Sequence, residues 1–120
     1  MEQLARETRQ EIELLLKASG VSAEVSAKQT KEMVEAVGKE FVLQLLAAAN
    51  PEQKEKLEKV ETVEDLVKVL PLWKGEEVAK HWLVASQKVI GKYVQALKVL
   101  MEETEWKKLT ERYDKLSEKV

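Results

Sequence analysis

The side chains in this chain that could do chemistry are few, and they lack the partners that chemistry needs. There is one histidine, His81, and there are no cysteines. Thiolate nucleophiles, disulfides and thiolate metal sites are therefore excluded, and one histidine cannot build a multi-histidine metal centre. Serine–histidine–acid catalysis needs a base within bonding reach of the hydroxyl and a third group to orient it. Ser86 follows His81 by five residues, which turns it about 140° away on a helix. His81, flanked by Lys80 and Trp82, reads as a packed or half-solvated side chain at the edge of an apolar stripe.

The carboxylates offer no better site. Glu7, Glu11, Glu55, Glu58, Glu61 and Glu64 fall on polar helix faces, and the Glu-x-x-His pairs of a di-metal helical bundle are missing. No glycine-rich phosphate loop or Asp-rich calcium loop occurs. We expect no catalytic residue, no metal and no cofactor.

Two polar residues sit where apolar ones belong. The most apolar stretch, FVLQLLAAAN from Phe41 to Asn50, has Gln44 in its middle, and Ser86 falls near the centre of the fifth helix's apolar stripe. A buried amide left unpaired costs about 1–3 kcal/mol, so a partner must exist. If the second and fifth helices cross, Gln44 and Ser86 can bond each other, or Ser86 can bond back to the carbonyl of Trp82. The other reading is a pocket for a small apolar ligand between those helices. Gln44 and Ser86 would be its polar contacts, Phe41 and Trp82 its walls. Trp82 and Trp106 read as core and as the last helix's anchor. Trp73, in the loop PLWKG, reads as a plug for the end of the core, or as an apolar patch for a partner.

The elements that must position these residues are helices almost throughout. Four glycines, two prolines and apolar residues recurring every three or four positions leave little room for strands. The first helix spans about Gln3 to Ala18 on a stripe of Leu4, Ile12, Leu15 and Leu16, and Ser19-Gly20 stops it. The second starts at a Ser26–Gln29 capping box and runs to Ala49, with Ser22 as a preceding turn. Asn50-Pro51-Glu52-Gln53 opens a short third helix to about Val60, and Thr62 caps a fourth that reaches Leu70. Pro71 ends it. The fifth, from Glu76 to about Glu102, has an apolar face near half its circumference, which suits a central helix. Trp106, Leu109, Tyr113, Leu116 and Val120 form a last stripe out of phase with it, so the chain breaks near Glu103-Thr104, with Thr104 as cap. Gly91, beside Val84, makes a smooth strip that a helix of this chain or of a second copy could approach closely.

Composition sets the outer bounds. In 120 residues, 44% apolar and 35% charged, there is enough for one globular domain over 1–120. Three of the twenty basic residues are arginines and no basic block occurs, which argues against nucleic-acid binding. No window is apolar enough to span a membrane, and no export signal opens the chain, which suits the cytoplasm. The expected architecture is all-α: a single compact domain of five to six unequal helices, partly orthogonal rather than a regular up-down bundle. The expected role is a non-enzymatic structural or protein-interaction domain, as a homodimer or with a protein partner. The small apolar ligand is the alternative. Start signals on nearly every helix and a mixed lysine–glutamate surface are equally the marks of an artificial, designed fold.

Overall fold

A computed structural model describes residues 2–118. Among them the chain forms six α-helices: α1 (Glu2–Ala18), α2 (Ala23–Ala48), α3 (Pro51–Glu58), α4 (Val63–Val69), α5 (Gly75–Leu100) and α6 (Glu103–Glu118). A single 3-10 turn, Leu70–Leu72, joins α4 to α5. The all-α architecture with unequal helices is as the periodicity implies. The molecule is elongated, 51 × 25 × 25 Å.

Local signals explain most of the boundaries. Gly20, at φ 81°, takes the left-handed conformation that closes α1, and its N–H reaches the carbonyl of Lys17. Asn50 and Gln53 form the reciprocal capping box of α3, and Thr62 and Asp65 form that of α4. Gln53 also acts beyond its own helix. Its amide Nε2 donates to the carbonyl of Leu72 at 2.9 Å, tying the start of α3 to the 3-10 turn.

Two starts differ from expectation. Helix α2 begins one turn earlier, at Ala23, with Ser22 Oγ accepting from the Val25 N–H and the Ser22 carbonyl accepting from Ser26 N–H at 2.8 Å. Extending the helix satisfies backbone groups that a longer loop would leave to solvent. The Ser26–Gln29 box is absent, and Gln29 Oε1 is buried with no partner among the described residues. The break before α6 occurs as expected but earlier: α5 ends at Leu100, and Thr104 lies inside the first turn of α6 rather than capping it. There the Trp106 N–H bonds the Glu102 carbonyl.

Helices α2 and α5 share the most extensive contact, and α1 packs on α2, α5 and α6. One apolar cluster joins Val37, Phe41 and Leu45 of α2 to Val78, Trp82 and Ala85 of α5, with Leu57, Leu66, Leu70 and Trp73 closing it. Trp73 is thus a plug, although its buried indole N–H has no hydrogen-bond partner among the described residues. A second cluster sets Leu15 and Ala18 of α1 against Leu109 of α6, with Ile90, Tyr93 and Leu97 of α5 beside them. The anchor of α6 is Leu109, 2% exposed, whereas Trp106 is half-buried. Val120, expected in that stripe, lies outside the described residues. The apolar face expected of α5 is wider than the part it buries: Leu83 and Leu100 stand exposed at 52% and 82%. No helix among the described residues is long and apolar enough to cross a membrane.

Candidate functional site: a groove between the first and fifth helices

The four residues singled out for a pocket do not converge on one. Phe41 and Trp82 meet edge to face, ring centroids 5.2 Å apart at 73°, so the space expected between α2 and α5 is filled by their own contact. Phe41 is fully buried. Gln44 is half-buried and turned elsewhere: its Nε2 donates to Glu40 Oε1, 3.3 Å away on the same helix. Lys88 of α5 donates to that same oxygen at 2.9 Å. The Lys88 hydrogen bond, aided by that of Gln44, holds the Glu40 carboxyl below the usual glutamate range.

Ser86 finds a residue that stripe reasoning passed over. Its Oγ lies 3.1 Å from Thr8 Oγ1, and the Trp82 indole Nε1–H donates to Thr8 Oγ1 at 2.8 Å. All three side chains are buried. They form a polar bridge across the α1–α5 contact that neither the Gln44 nor the Trp82-carbonyl alternative anticipated. A signal for Thr8 was present. The α1 stripe of Leu4, Ile12, Leu15 and Leu16 skips the position one turn after Leu4, and Thr8 fills it.

Beside this bridge runs a groove of about 370 Å³ between α1 and α5. Thr8, Trp82 and Ser86 contribute to its lining, and Leu4, Leu83, Ile90 and Val94 supply apolar surface. Glu7 and Glu11 bring carboxylates from α1. Both are exposed, and neither has an ion-pair partner among the described residues. Burial, with the nearby Glu11 and Asp114 charges, pushes the Tyr113 phenol up, so that side chain stays neutral at physiological pH. Gly91 also lines the groove. A Cβ added there would meet nothing within 4 Å, so the smooth strip expected beside Val84 is open.

The remaining groups give less. His81 is half-buried beside Trp82 and has no side-chain hydrogen bond among the described residues. A hollow between α3 and α4 is ringed by Lys56, Lys59 and Lys68, but Lys59 already pairs with Glu55 and Asp65 is committed to the α4 cap. No group of three or more potential metal ligands gathers among the described residues. The fold and site therefore define an all-helical domain with an apolar, acid-edged surface groove. Comparisons with protein-family models, with curated protein sequences and with solved structures give no match.

Proposed function

We infer that the chain is a non-enzymatic helical interaction domain that offers its α1–α5 groove to an apolar partner surface. One observation carries this reading: apolar side chains, among them the half-exposed Leu83, border a groove whose floor is held by the Thr8–Trp82–Ser86 bridge. The hydroxyls there bond to an indole and to each other, an arrangement that locks helix positions and activates no nucleophile. Exposed apolar surface of this kind, rimmed by polar groups, is what binding sites are built from. A small apolar ligand held in the same groove is the second reading, favoured by a volume within the range of small-molecule sites.

A neutral, environment-sensitive dye such as Nile red tests the shared premise. Saturable fluorescence enhancement is expected, lost in Leu83→Lys and retained in Leu43→Lys, which alters an exposed leucine outside the groove. Enhancement unchanged by Leu83→Lys, or none at all, would overturn the reading, provided circular dichroism finds both variants folded.

A further inference from the structure

The groove has a length, an open edge and a charge, and together these define an occupant. On α5 it extends from Trp82 to Val94, roughly 18 Å or a little over three helical turns. Gly91 exposes backbone near one end, where a partner's main chain can come close without meeting a side chain. The ionisable residues lining it are Glu7 and Glu11, one turn apart on α1, and no basic residue lines it among the described residues. Their carboxylates form no internal ion pair there. Three donors, the Trp82 indole N–H and the Thr8 and Ser86 hydroxyls, share two hydrogen bonds, so one hydroxyl hydrogen in the bridge remains for a further acceptor.

We propose that this groove docks a basic amphipathic helix of a partner protein. The proposal rests on the interaction-domain reading and specifies its occupant. Apolar side chains spaced i, i+3/i+4 and i+7 lie along Leu4, Leu83, Ile90 and Val94. A small residue faces Gly91, and lysine or arginine stands beside Glu7 and Glu11. Charge complementarity selects this occupant over an acidic or neutral helix, because an acidic partner would set like charges against the α1 carboxylates. The groove's length over α5 matches about three turns of such a helix, longer than a compact ligand needs.

The test uses the full chain and a labelled 18-residue peptide with leucines at that spacing, alanine at its centre and lysines on its flanks, read by fluorescence anisotropy. A second peptide carries glutamate in place of lysine. The lysine peptide is expected to bind at least about fivefold more tightly, as two exposed ion pairs allow, and to weaken with added salt. In the double variant Glu7→Lys, Glu11→Lys the preference should reverse. Gly91→Leu, exposed on its helix, should weaken binding of the lysine peptide about tenfold or more while leaving helicity unchanged. Equal binding of the two peptides, no reversal in the double variant, or indifference to Gly91→Leu would overturn the proposal. So would Leu83-dependent dye uptake with no peptide binding, which assigns the groove to a small ligand, whereas equal binding of the two peptides leaves the interaction reading standing. Self-association abolished by Gly91→Leu would assign it to a second copy of the chain and also overturn the proposal. Absence of both dye and peptide binding removes the two readings together.

Discussion

The indole Nε1–H of Trp82 donates to Thr8 Oγ1 at 2.8 Å, joining two residues 74 positions apart in the chain. Ser86, one turn further along α5, lies 3.1 Å from the same Thr8 oxygen, so the two contacts tie α1 to α5. They thereby position one wall of the groove against the other.

Thr8→Val removes the hydroxyl that serves both partners and leaves the Trp82 N–H buried and unpaired. A loss of about 1–3 kcal/mol in unfolding free energy is expected, measured by urea denaturation. Trp82→Phe in the same background should add less than it does alone, because the two residues share one network. Strict additivity in this double-mutant cycle would show that the hydrogen bond carries no coupling.

Gln53 works in two directions, accepting from Asn50 N–H through Oε1 and donating to the Leu72 carbonyl through Nε2. Gln53→Glu keeps the acceptor that completes the cap but lacks the donor. The expected cost is about 0.5–1.5 kcal/mol, together with faster amide exchange around the Leu70–Leu72 turn. An unchanged stability would mean that the cap alone matters.

Thr30 is 3% exposed, and its hydroxyl oxygen has no hydrogen-bond partner among the described residues. Thr30→Val keeps the shape and removes the unsatisfied group, so stability should hold or rise by about 1 kcal/mol. A clear loss in thermal or chemical denaturation would reveal a hidden partner for the hydroxyl.

The Glu40 carboxyl is held below its ordinary value of 4.5, chiefly by the hydrogen bond from Lys88. A folded-state pKa below the unfolded one means that this contribution is fully present above pH 4.5 and is lost as pH falls through the folded value. The melting temperature should therefore fall on acidification by more in the parent protein than in Glu40→Gln. Parallel curves from pH 6 to about pH 3 would contradict the assignment. Because the pair is partly exposed, added salt should shrink the difference.

Three buried polar atoms, Gln29 Oε1, Thr30 Oγ1 and Trp73 Nε1, lack partners among the described residues. Val99 and Leu100 stand more than four-fifths exposed at the end of α5. These features depart from the agreement of local and global signals that the helix caps display. They mark where the packing, and not the local code, set the outcome.

What the sequence determined on its own was local and axial. The capping box at Asn50, the cap at Thr62 and the stop at Gly20 involve groups within a few residues of each other, so type and spacing suffice to place them. The change of stripe phase announced a break before α6 but not its residue, since α5 ends at Leu100 and Thr104 lies inside α6. Periodicity likewise brought Val37, Phe41 and Leu45 to one face of α2 and made α5 central. The choice between Ser22 and Ser26 lay beyond it, because both can cap and the decision depends on where the preceding loop must end. The partner of Ser86 and the site of the groove were decided by tertiary structure alone. A helical wheel gives the direction of a side chain about its own axis, but not which neighbouring helix lies there. Gln44 and Ser86 each pointed toward the interior in that frame. Only the docking of α1 against α5 gave Ser86 to Thr8, left Gln44 with Glu40, and opened the groove on the α1 side.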